Sequence, residues 1–135
     1  MNLYLGGWGG TAGGYRGYVS DFKIYRKYHE LSNPGHSKVF VFLDMRQDST
    51  DMGNFAVNMA GWPDLPLLYS FWDLPGFYHH GSAGFSFADG HSEMKRWRDS
   101  RTMPPLNPNR SVNDIFLSQG NVDVAWLQDH ATRPK

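Results

Sequence analysis

Histidine and aspartate side chains gather between residues 79 and 91. His79 and His80 are adjacent, and Asp89 and His91 stand on either side of a glycine. Imidazole and carboxylate groups are the ligands that zinc and related metals take in proteins. The same groups suit a hydrolase in which His79 or His80 is the general base and Asp89 orients it or holds a metal. The structural interpretation, in which these side chains pin a loop by hydrogen bonds, is favoured over both.

A second polar cluster follows the apolar run that ends at Asp44. Its hard oxygen ligands suit calcium, although their spacing differs from that of an EF-hand loop. Ordinary loop capping by aspartate and asparagine side chains explains the cluster equally well. A calcium ion that joins this loop to the histidine-rich segment would account for both clusters, so calcium is predicted in preference to zinc. The metal ligands predicted in this way are Asp44, Asp48, Asp51, Asp89 and His91.

Aromatic residues make up 16% of the chain. A stacking platform for sugars could be drawn from Trp62, Trp72 and Tyr78, which are the candidate binding residues. At this density, however, most rings must belong to the core or anchor loops. The sequence has no G-x-S-x-G, H-E-x-x-H or phosphate-loop motif, which disfavours serine hydrolases, zincins and nucleotide enzymes.

Length and composition restrict the class of protein. A chain of 135 residues predicts one domain, 1–135, and 13 basic against 13 acidic residues give no field that would attract nucleic acid. There is no cysteine, so disulfides and thiolate metal sites are excluded. No long apolar run and no export signal is visible, which predicts a cytoplasmic chain without a membrane segment in this form.

Glycine and proline punctuate the chain and favour short strands over long helices. We expect a Gly/Tyr-rich loop and a short helix in 1–35, a β-sheet core in 36–100, and a Pro-rich connector with a C-terminal helix in 101–135. Asp89-Gly90 is a strong hairpin signal. The segment 60–78, with three prolines, is expected to be an extended loop. The predicted strands are Lys38–Asp44, Phe55–Asn58, Gly84–Ala88 and His91–Trp97, and the predicted C-terminal helix is Val122–His130.

The spacing of His79, nine residues and then Asp89-Gly90, within YHHGSAGFSFADGHSEMKRW, resembles the prepilin-type processing-associated H-x9-DG domain. FVFLDMRQDST, WDLPGFYHHG, WRDSRTMPP and WLQDHATRPK extend the similarity over roughly 36–135. Met45 departs from the family, which often has an acidic residue there. The resemblance implies an α+β fold with a small antiparallel sheet, similar to the head of a type II secretion pseudopilin but without its N-terminal hydrophobic helix. Such heads are extracytoplasmic.

The resemblance implies a pseudopilin-like structural or interaction module stabilised by calcium. Met1-Asn2 resembles a stretch inside the family's head, so a start within that head is expected. The surface that the absent helix would cover is expected to bind a protein partner or a second copy. The alternative is a small metal-dependent hydrolase of a lactone or glycoside, which uses the histidines and aspartates; the sequence leans away from an enzyme.

Overall fold

The computed structural model of the protein describes residues 1–7, 21–50, 53–109 and 115–135. They form two small antiparallel sheets and one α-helix, a mixed fold of the expected α+β kind. Most of the predicted Gly-rich loop and the metal candidate Asp51 lie outside the described residues. The strands are β1 (Phe40–Leu43), β2 (Ser70–Phe71), β3 (Ser82–Phe87), β4 (Ser92–Arg96) and β5 (Phe116–Leu117), and the helix is α1 (Val122–Asp129).

The larger sheet has the strand order β1-β3-β4 and is built around the predicted hairpin. Small and aromatic residues alternate along β3, so that Ala83, Phe85 and Phe87 are buried on one face. Gly90 has a φ of +95° in the turn, a conformation that glycine adopts without steric cost. The hairpin is confirmed, with β3 starting two residues before the predicted Gly84.

The strand β1 is shorter than predicted. Residues His36–Lys38 form a 3-10 turn closed by a hydrogen bond from Lys38 N to Gly35 O, which delays the strand until Phe40. Another 3-10 turn, Tyr28–Ser32, stands where the sequence predicted a short helix in 1–35.

The predicted strand Phe55–Asn58 is wrong. Phe55 makes only an isolated bridge to Asn2, because its main chain exchanges hydrogen bonds with the N-terminal segment. The next amide, of Ala56, donates to the Asp73 carboxylate, and Asn58 bonds Ser70 through its side chain. Side chains therefore take the place of the hydrogen-bond partners that a neighbouring strand would have supplied.

The segment 60–78 is more ordered than a plain loop. It contains a 3-10 turn, Pro66–Leu68, and the strand β2, which pairs with β5 through Ser70–Leu117 and Phe71–Phe116. This pairing joins the segment to the chain just before α1.

The C-terminal helix is confirmed, with its end at Asp129. The side chain of Asn121 accepts hydrogen bonds from the amides of Asp123 and Val124, as an N-cap residue does. The buried apolar side chains of α1, Val124 and Leu127, pack into the core.

Aromatic rings dominate the core, as their number predicts. Phe85 is at the centre, with ring centroids 5.5 Å from Phe40, 6.0 Å from Trp97 and 5.0 Å from Trp126, all in edge-to-face orientation. None of the helices in the described part of the chain is long and apolar enough to cross a membrane.

Candidate functional site

Asp44, a predicted site residue, holds three segments of the chain together. It follows β1, and its amide donates to Gly84 O while its Oδ2 accepts a 2.8 Å hydrogen bond from Gly84 N. Its carbonyl accepts from Gly76 N at 2.7 Å. One aspartate therefore ties the end of β1 to β3 and to the loop that precedes β3.

Two glycines, Gly76 and Gly84, lie close to this aspartate. A Cβ on Gly76 would lie 3.0 Å from the Asp44 carbonyl oxygen, and one on Gly84 would lie 3.1 Å from Asp44 Oδ2. Because the carboxylate is already bonded to Gly84 N, it has little room to retreat. The close approach explains why glycines stand at these two positions.

His79 lies beside Asp44, with 3.3 Å between Nε2 and Oδ2. The sequence interpretation had joined His79 to Asp89, so this partner was missed. Both side chains are about half exposed, His79 at 58% and Asp44 at 42%. A carboxylate next to an imidazole can orient a general base, but both side chains of this pair are open to solvent.

His80 is exposed and has a φ of 53°, an uncommon conformation for a residue with a Cβ. No hydrogen bond of its side chain is seen among the described residues. It takes part in the turn that leads from His79 to Gly81, which also has a positive φ. His80 is therefore a turn residue in this structure.

Asp89 and His91 form their own pair at the tip of the hairpin. Asp89 Oδ1 lies 2.6 Å from His91 Nδ1 and also accepts from the His91 amide. The hydrogen bond from the His91 ring lowers the pKa of the Asp89 carboxyl. The His91 ring stacks on Phe87 with centroids 4.3 Å apart. This is the loop-pinning contact that the sequence favoured for His91 and Asp89.

The predicted metal ligands do not come together. Asp44 lies against Gly84, whereas Asp89 is five residues further on, roughly 15 Å along an extended strand. A calcium ion holds its ligands at about 2.3–2.6 Å, so one ion cannot bridge both places. Asp44 and Asp89 therefore cannot bind the same ion, but the predicted ligand Asp51 lies outside the described residues, so calcium between the two loops stays a prediction. Calcium held within the loop after β1 stays a prediction as well.

Asp48, another predicted ligand, is engaged by Arg46. The guanidinium donates through Nε and Nη2 to the two carboxylate oxygens at 2.7 and 2.6 Å. It also donates to the carbonyls of Pro104 and Pro105, and it lies over the Phe77 ring. Both charged side chains are nearly inaccessible, Arg46 at 0% and Asp48 at 3%. This buried pair fastens the Pro-rich connector to the loop after β1.

Asp123 makes a second buried carboxylate junction, which the sequence did not reveal. It is fully buried at the start of α1 and accepts from the amides of Arg98 and Asp99 and from the Thr102 hydroxyl. The neighbouring sequence does not indicate that Arg46 or Asp123 is buried, because charged residues in loops are usually solvated. Pro104-Pro105 was the one available hint of a partner for Arg46. Proline has a carbonyl acceptor but no amide N–H, so these carbonyls need a donor from elsewhere.

The candidate sugar-binding aromatics have different neighbours. Trp62 lies edge-on to Phe22 and under the Arg133 guanidinium. Trp72 is half-buried against the core. Tyr78 is exposed, and its hydroxyl accepts from the Gln47 amide. The described contacts make Trp62 and Trp72 anchors of the structure.

A cluster of leucines is exposed instead. We call Leu65, Leu67, Leu68 and Leu117 the leucine surface; each is more than half exposed, and Leu117 reaches 74%. Two neighbouring segments supply it, joined by hydrogen bonds from Gly120 N to Pro66 O and from Ser118 N to Tyr69 O. Exposed apolar patches are found at protein or membrane interaction sites and at ligand-binding grooves.

Comparison with family models, curated proteins and solved structures finds no match for this chain.

Proposed function

We propose that the protein is a structural or interaction module, similar to the globular head of a type II secretion pseudopilin, that binds a partner protein through the leucine surface. The observation that carries the proposal is the exposure of four leucines in a chain whose core is built from aromatic rings. The sequence resemblance supplies the class of partner, another pseudopilin.

The histidines and aspartates support this proposal by what they already do. Asp44 joins β1 to β3, and Asp89 pairs with His91 in the hairpin turn. Asp48 neutralises the buried Arg46. Each carboxylate has a structural task, and a structural module needs no further chemistry from them.

The partner is expected to present an apolar, uncharged face. Burying one leucine side chain contributes about 1.5–3 kcal/mol, so a few of these leucines would dominate the binding energy. A lysine in their place would leave a charge in the interface, at considerable cost.

The test uses purified heads of type II secretion pseudopilins and measures their binding to this protein by titration calorimetry. The double variant Leu67→Lys/Leu117→Lys should weaken binding at least tenfold, whereas Phe42→Lys, a charge at an exposed ring on β1, should leave it unchanged. Absence of binding, or equal loss in both variants, would refute the proposal. Binding of the protein to phosphatidylcholine vesicles with the same leucine dependence would assign the surface to lipid instead.

A further inference from the structure

The outer edge of β4 has no partner strand among the described residues. β4 stands at the end of the order β1-β3-β4. The opposite end of the sheet is partly covered, because Val41 O accepts from Asn2 N and Phe40 N donates to His130 O. An unpaired strand edge offers a row of hydrogen-bonding groups to another strand.

The register of the hairpin determines which groups face outwards. Phe87 N donates to His91 O, and Trp97 N donates to Gly81 O, so the odd-numbered residues of β4 direct their main chain to β3. The amides and carbonyls of Ser92, Met94 and Arg96 therefore point away from the sheet. All three residues are exposed.

We propose that two copies of this protein pair through β4, antiparallel and centred on Met94. Met94 of one copy then lies opposite Met94 of the other, and Ser92 lies opposite Arg96 in each direction. Each of these pairs can exchange two main-chain hydrogen bonds. The product is a closed, two-fold symmetric dimer with one continuous sheet across its axis.

The charges of β4 match this arrangement. On the face shared with Phe85 and Ala83, Glu93 of one copy falls opposite Lys95 of the other, and the reverse pair forms as well. These are non-hydrogen-bonded positions, where opposite side chains approach closest. Opposite charges directly across a strand pair are stabilising and like charges are destabilising.

The register centred on Met94 is the one that uses the whole strand. A centre at Ser92 would bring Met94 opposite Gly90 in the turn, and a centre at Arg96 would run beyond the end of β4. Charged residues on an edge strand usually prevent pairing. On β4 the charges oppose pairing only in registers that place like charges opposite one another. The register centred on Met94 places Glu93 opposite Lys95 instead. It also covers the exposed Met94 side chain.

The experiment is sedimentation equilibrium of the full chain up to about 1 mM, the range of weak complexes. The unchanged protein is expected to form dimers. E93K and K95E should each weaken the dimer at least tenfold, because each puts like charges opposite one another. An equimolar mixture of the two variants should regain dimers, since the two lysines of one chain then face the two glutamates of the other. Circular dichroism checks that each variant is folded.

Two further variants keep the test sharp. Met94→Pro removes an outward amide without touching the bonds to β3, and it should abolish dimers even if K95E fails to fold. Leu67→Lys should leave dimers intact, which separates this interface from the leucine surface. A monomer at every concentration, or a dimer that none of the β4 variants affects, would overturn the proposal.

Discussion

The Arg46 side chain has four partners: Asp48, Pro104, Pro105 and Phe77. Its guanidinium bonds a carboxylate and two proline carbonyls and lies over an aromatic ring, with no exposed surface. A buried charge of this kind is tolerated only because a counter-charge and hydrogen bonds surround it.

Removing the counter-charge should therefore be costly. Asp48→Asn is expected to lower the free energy of unfolding by about 3–5 kcal/mol, because it leaves the Arg46 charge buried without its partner. Urea unfolding followed by fluorescence measures the change. Asp64→Asn, at an exposed position, removes the same charge and should change stability by about 0.5 kcal/mol or less. Equal effects of the two variants would contradict this assignment.

At the scale of elements, α1 and the hairpin meet at a stack of rings. His130 stacks on Trp126 with centroids 4.1 Å apart and lies edge-on to Phe87 of β3, while Lys95 of β4 lies over the other ring of the stack, Trp126. Burial lowers the pKa of His130 below its ordinary value of 6.5. Burial between α1 and the sheet therefore disfavours the protonated form of this imidazole.

This burial predicts a pH dependence of stability. The unfolded chain binds a proton at His130 more readily than the folded chain does, so stability is complete above pH 6.5 and decreases as pH falls from there towards the lower folded pKa. The Tm should fall between pH 7.5 and pH 5.5. His130→Gln should reduce that fall, and His36→Gln, at a histidine whose ring nitrogen lies on the surface, should not. A fall of unchanged size in His130→Gln would show that other groups cause it.

Local patterns predicted the elements that depend on neighbours in sequence. The hairpin was predicted from Asp89-Gly90, and α1 was predicted as the helix Val122–His130. The β2–β5 pair could not be predicted, because it joins two-residue strands that are far apart in the chain. Phe55–Asn58 failed as a strand for the converse reason: its partners are the N-terminal segment and side chains.

The candidate site was predicted in the same partial way. Asp44, His79 and Asp89 do make polar contacts, but only the distance along β3 decides that His79 belongs with Asp44 and that Asp89 belongs with His91. Arg46 was missed because an arginine in a polar loop carries no sign of its burial.

At the scale of the whole molecule, the metal hypothesis to test first is a calcium ion in the loop after β1. An ion at about 100 times its Kd would add about 2.7 kcal/mol of stability and raise the Tm by about 5 °C or more. We expect calcium to produce this shift, chelator to reverse it and magnesium not to replace it. Mass spectrometry of the purified protein gives the metal content. Unchanged melting in calcium and chelator would remove calcium from the description.

The Asn2 side chain bridges parts of the chain that the ribosome makes far apart in time. Its Nδ2 donates to Phe40 O and to Ala131 O, and its Oδ1 accepts from the Tyr4 amide, all within the core. A nascent chain that has reached β1, or even β4, still lacks the carbonyl that completes this junction. Contacts of such long sequence separation slow folding. Phe85 of the sheet likewise lacks its ring contact with Trp126 until α1 has been synthesised, and incompletely packed apolar surface of this kind is what chaperones protect.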